Sequence, residues 1–113
     1  MSERVVKMNE LIRQEIARLL EQEIEWPKNC LVTVVKVITS RDLKSAKIFL
    51  SIFPDNLSGT ALHLIRKSTK QLRELLAEEL TIFTTPRLNF FIDSTERQAA
   101  KIDEVIDNLK NER

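Results

Sequence analysis

The apolar residues of this chain change their spacing repeatedly, and each change marks the boundary between one kind of element and the next. Val5, Met8, Ile12, Ile16 and Leu19 fall three and four apart, which places them on one stripe of an amphipathic helix. The spacing predicts a helix over residues 2–25, with Ser2 as its N-cap and Trp26-Pro27 as its stop, because proline disfavours a helical conformation in the residue before it. Residues 31–39 are rich in Val, Ile and Thr and read as a strand. Ala46, Ile48, Leu50 and Ile52 then alternate with Lys47, Phe49, Ser51 and Phe53, a period of two that predicts a second strand. The polar Ser40-Arg41-Asp42 and Lys44-Ser45 between them make a short turn, so the two strands are expected to pair as an antiparallel hairpin.

Residues 54–59 read as a loop. After them Ala61, Ile65, Ser68, Leu72, Leu75 and Leu76 return to helical spacing as far as Leu80. Periodicity alone gives one helix there, but Ser68-Thr69 are mediocre helix formers in mid-run, so an interruption at residues 68–70 is expected. Pro86 opens a third strand in which Leu88, Phe90 and Ile92 alternate with Arg87, Asn89, Phe91 and Asp93. Asp93 or Ser94 is placed to cap a last helix, with Ala99, Ile102, Ile106 and Leu109 as a narrow apolar stripe and a frayed end over residues 111–113. The order α, β, β, α (broken), β, α defines an α+β fold with helices on one face of a three-stranded sheet. A chain of 113 residues with 42% hydrophobic content can bury one core. Residues 1–113 are therefore read as a single domain, with residues 95–113 as its C-terminal helix.

Composition removes several kinds of function. Gly59 is the only glycine, whereas phosphate-cradling loops and dinucleotide fingerprints need two or three for close backbone approach. A lone Cys30 cannot form an internal disulfide, no apolar stretch follows a basic start as in a secretory signal, and the apolar runs are only a few residues long. A cytoplasmic address without a membrane span is expected. One histidine, one cysteine and no tyrosine do not make up a nucleophile, a base and an orienting group. Cys30 beside a strand is read as a small buried hydrophobe, His63 as a surface or boundary residue, and the two do not form a zinc-ligand pattern. No enzyme activity, cofactor or metal is expected.

The net charge of +1 says little about partners, so any attraction for an anion has to come from local clustering. Residues 56–73 hold no acid after Asp55, while Arg66, Lys67, Lys70 and Arg73 accumulate there. On a continuous helix Arg66, Lys70 and Arg73 share one face, opposite Ala61, Ile65, Ser68 and Leu72. The hairpin region adds Lys36, Arg41, Lys44 and Lys47 against Asp42, and the first helix adds Arg4, Lys7 and Arg18 away from its apolar stripe. Any one such patch is equally well read as a solvated helix back. Three in one small fold tilt the reading toward RNA phosphates. With Phe49, Phe53 and Phe91 on an open sheet face but no tyrosine or glycine-rich clamp, folded RNA is expected to be preferred over single strands.

Four features carry a resemblance: an N-terminal helix with Arg4 and Lys7; Val37-Ile38-Thr39-Ser40-Arg41-Asp42-Leu43 followed by Ala46-Lys47; Leu72-Arg73 with Leu76-Ala77; and Pro86-Arg87-Leu88-Asn89-Phe90 with Asp93. Together they span nearly the whole chain, and it resembles the bacterial ribosome-binding factor A family, assembly factors of the small ribosomal subunit. The resemblance implies a type II K-homology-like fold. It also implies that the usual Gly-x-x-Gly loop is replaced by an Ala-x-Gly break between helices, matched here by Ser68-Thr69-Lys70 with Lys70 where the family has glycine. The implied function is binding of the immature small subunit and its 16S-type ribosomal RNA or precursor, assisting late maturation or processing and often tied to growth in the cold. The implied RNA surface comprises Arg66, Lys67, Ser68, Thr69, Lys70 and Arg73, joined by Arg41, Lys44, Lys47, Arg4 and Lys7. No membrane or small-molecule partner is expected, and the chain is expected to act as a monomer. The alternative reading is a protein-interaction module that docks through the C-terminal amphipathic helix without binding RNA.

Overall fold

A computed structural model describes residues 2–80 and 85–93. The first helix, α1 (Glu3–Glu23), starts where expected: the Ser2 hydroxyl accepts from the Val5 amide at 3.2 Å, satisfying one of the donors a helix start leaves free. It stops at Glu23, two residues earlier than its spacing predicts, with Ile24 already extended. The cause is Trp26, whose indole Nε1 folds back to donate to the Leu20 carbonyl at 3.0 Å and so occupies an acceptor of the last turn.

Strands β1 (Leu31–Thr39) and β2 (Ser45–Phe53) form the expected antiparallel hairpin, paired from Leu31 opposite Phe53 to Thr39 opposite Ala46. The turn is organised by Asp42, whose Oδ1 accepts from the Ser40 hydroxyl at 2.6 Å and the Lys44 amide at 3.0 Å. Leu43 completes it in the left-handed region, at φ 61°.

Residues 54–59 are more ordered than a loop. A cis Phe53–Pro54 peptide leads into a single 3₁₀ turn over Asp55–Leu57, and the next helix already begins at Ser58. Small residues such as Ser58 and Gly59 suit a first turn, whose amides have no partner within the helix.

That helix, α2 (Ser58–Leu80), is continuous, so the interruption expected at residues 68–70 is absent. Two local reasons apply. The Thr69 hydroxyl donates to the Ile65 carbonyl at 3.0 Å, inside its own helix, instead of drawing the backbone out of it. Lys70, where the resembled family has glycine, is a good helix former. Ala61, Ile65, Leu72 and Leu76 then stay on one fully buried stripe. Glu79 is exposed at the end of the unbroken stripe, with its Oε1 3.4 Å from Arg18 Nη2.

Strand β3 (Arg87–Ile92) pairs parallel to β2, Ser45 with Arg87 through Leu50 with Ile92, giving the order β1-β2-β3. A parallel pair needs a crossover, and α2 supplies it. Its 23 residues span ~35 Å, enough to return along the ~30 Å of a nine-residue strand. The core lies between the helices and one sheet face: Ile12, Ile16 and Leu19 from α1 and the α2 stripe meet Ala46, Ile48 and Leu50 of β2 and Leu88 and Phe90 of β3. The opposite sheet face is uncovered among the described residues. The C-terminal helix expected over residues 95–113, with its stripe Ala99, Ile102, Ile106 and Leu109, lies outside the described residues.

Candidate nucleic-acid interface

Because the apolar stripe of α2 points at the sheet, the residues half a turn away point to solvent. Arg66, Lys67 and Lys70 are all exposed, and none is held in an ion pair or side-chain hydrogen bond with another described residue. Ser68 and Thr69 are half-buried beside them. The acids of this helix, Glu74, Glu78 and Glu79, all follow the cluster, so its N-terminal part carries unopposed positive charge.

Arg73 does not join this stripe. Its guanidinium turns across to the lead-in of β3, where Nη2 donates to the Thr85 carbonyl at 2.8 Å and Nε to the Pro86 carbonyl at 3.1 Å. The sequence assigned it to RNA from its position on the helical wheel; a long side chain at the wheel's edge can reach backbone carbonyls that no wheel displays.

Along the same side, Arg66 and Thr69 line a groove of about 240 Å³ with Leu88, Asn89, Phe90 and Phe91. Among the described residues β3 is a sheet edge, and its outer backbone groups pair with none of them. Among the described residues, the exposed cations of α2 thus stand next to the outer edge of β3.

The other expected residues lie elsewhere. Arg41, at the hairpin turn, reaches the N-terminal end of α1, where it lines a cavity of about 660 Å³ with Ser2, Val5 and Thr39. The buried Thr39 hydroxyl has no hydrogen-bond partner there. Arg4 and Lys7 are exposed on α1, Lys7 with a loose, solvated approach to Glu3 at 3.8 Å. Arg18 is taken up by Glu15 at 2.9 Å and by Glu79, and the Glu15 carboxylate holds its guanidinium pKa up. Lys44 is exposed at the turn, while Lys47 projects from the uncovered sheet face, on the far side from α2. The structure therefore joins Arg66, Lys67, Thr69 and Lys70 into one surface and separates Lys47 from it.

Two other readings also have their place. His63 is exposed, and Cys30 is half-buried with its thiol pKa pushed up by burial, which disfavours the reactive thiolate. Among the described residues no group of three or more His, Cys, Asp or Glu could hold a metal ion, and no helix is long and apolar enough to cross a membrane.

Two long helices on one face of a three-stranded mixed sheet, with an exposed basic helix beside the last described strand, define a K-homology-like α+β module. Residues 4–106 match the family model described as ribosome-binding factor A, and the chain belongs to that family. Ribosome-binding factor A of Alcanivorax borkumensis is 32% identical over 111 residues, covering 96% of this chain and 81% of the relative. That of Halothermothrix orenii is 28% identical over 111 residues, covering 97% and 91%. Among solved structures, the crystal structure of ribosome-binding factor A from Thermus thermophilus superposes with a TM-score of 0.69 at 23% identity, over 78% of this chain and 93% of that one. A homology model of the T. thermophilus factor, fitted into a cryo-EM map of its 30S complex, gives a TM-score of 0.59 at 26% identity over 74% and 92%.

Proposed function

We propose that this chain binds the immature small ribosomal subunit through its ribosomal RNA and assists late maturation or processing of that RNA. The observation that carries the reading is the exposed, unopposed cluster Arg66, Lys67 and Lys70 beside the α2–β3 groove. Phosphate oxygens are what such a surface attracts, and a helix continuous through the cluster holds its cations at fixed spacing. Membership of the family supports the partner, as does the relative fitted into a 30S map. The chain works in this reading as a monomer that binds without catalysing a reaction, with Arg41, Lys44, Arg4 and Lys7 as outlying phosphate contacts at the other end of the molecule.

Co-migration of the purified chain with immature small subunits on a density gradient tests the proposal. Binding that persists at low salt and is lost at high salt is the expected result. A chain that stays at the top of the gradient at every salt concentration contradicts it.

A further inference from the structure

The sheet face that no other described residue covers is unusual in composition. The three strands contain no acidic residue. Following the register across them, Lys36 stands opposite Phe49, and Phe49 opposite Phe91, so one cation and two rings form a single row. The two rings are stacked with centroids 5.6 Å apart and planes 27° from parallel, and Lys36 Nζ lies 4.9 Å from the Phe49 centroid. Phe91 remains 42% exposed. On one side the neighbouring rows add Ile38, Lys47 and Asn89, then Ser45 and Arg87; on the other, Thr33 and Ser51 precede the exposed pair Leu31 and Phe53.

We propose that this row is a stacking platform for one unpaired base of RNA, seated on the outer face of Phe91, with Lys47 and Arg87 receiving the adjoining phosphates. The inference rests on the RNA reading above and adds a second surface, on the opposite side of the sheet from α2. Phe49 lies between Phe91 and Lys36, whereas the exposed Phe91 gives only one face to its neighbour and keeps the other for a base; stacking on a single ring is tolerant of base identity. Charge distribution selects nucleic acid over protein as the occupant. A protein-docking face keeps its centre apolar and its charges at the rim. Here Lys36 sits in the ring row itself and Lys47 in the next, so a covering protein would have to bury cations for which the three strands supply no acid. A polyanion carrying aromatic bases matches both features at once.

The test is a titration of the full ¹⁵N-labelled chain with single-stranded hexa-adenylate RNA, read by amide shifts. Shifts should centre on Lys36, Phe49 and Phe91, binding should weaken about tenfold or more in Phe91→Ala, and Phe91→Trp should retain it. Unchanged spectra away from the face establish that each variant is folded. Shifts confined to α2, or affinity unchanged in Phe91→Ala, overturn the platform. Concentration-dependent shifts of the same amides without RNA also overturn it, by assigning the face to a second copy of the chain. If the platform fails while co-migration with small subunits holds, only this inference falls; if both fail, the RNA reading beneath it falls too.

Discussion

The guanidinium of Arg73 and the carbonyl oxygen of Thr85 lie 2.8 Å apart, and this bond fastens the middle of α2 to the entry of β3. A second bond from Nε to the Pro86 carbonyl makes the tie bidentate. Hydrogen bonds to a charged group contribute about 1.5–3 kcal/mol when partly shielded from water, so Arg73→Ala is expected to lower unfolding free energy by roughly 1–3 kcal/mol. Arg73→Lys should recover only part of that, since an ammonium lacks the planar fork. Urea denaturation of the two variants measures it. Unchanged stability together with lost RNA binding would return Arg73 to the role its sequence position suggested.

Continuity of α2 through Ser68, Thr69 and Lys70 gives a prediction of opposite sign to that of a broken helix. In an unbroken helix Lys70→Gly should cost about 1 kcal/mol, since glycine loses more backbone freedom than any other residue on becoming helical. At a break with a left-handed residue the same change would be neutral or stabilising. The thermal midpoint of the variant decides between them.

Asp42 gives the hairpin turn a pH dependence. The Ser40 hydroxyl and then the Lys44 amide, both donating to its carboxylate, hold its pKa below the ordinary aspartate value. A pKa lower in the folded than in the unfolded chain means that this contribution is fully present above the unfolded value and lost as pH falls through the folded one. Asp42→Ala should therefore be less stable than the parent at neutral pH, with the two curves converging at the acid end of the carboxylate range. Denaturation midpoints of both proteins across that range provide the comparison. Parallel curves would mean that the carboxylate does not hold the turn.

The elements with a pure hydrophobic period were legible in the sequence. Ala46, Ile48, Leu50 and Ile52 alternate without exception and all are buried, and the α1 stripe from Val5 to Leu19 packs much as its spacing predicts. Strand β1 showed composition but no alternation, and the register explains why: the pairing shifts between Val34 and Lys36, an extra residue that resets the buried phase from Val34 to Val37. The direction of β3 was not legible, because parallel pairing is decided by the crossover and not by the strand. At the candidate site, Arg66, Lys67 and Lys70 were found from local charge alone. The engagement of Arg73 and the Lys36, Phe49 and Phe91 row depend on tertiary placement and strand register, which join residues far apart in the chain. Arg87 and Asn89 gave no signal beyond their place in an alternating strand.

Binding driven by the α2 cluster is tested most directly by titrating the chain and an Arg66→Ala, Lys67→Ala, Lys70→Ala triple variant against small-subunit particles across a salt series. Each phosphate neutralised releases counterion, so a footprint of roughly four to six cations should weaken parental binding by about a hundredfold or more between low and moderate salt. The triple variant should fold with nearly parental stability, since its side chains make no ion pair among the described residues. It should also bind at least about tenfold more weakly at low salt, with a shallower salt slope. A flat salt response of the parent, or a triple variant that binds as tightly as the parent with the same slope, would contradict phosphate recognition by α2.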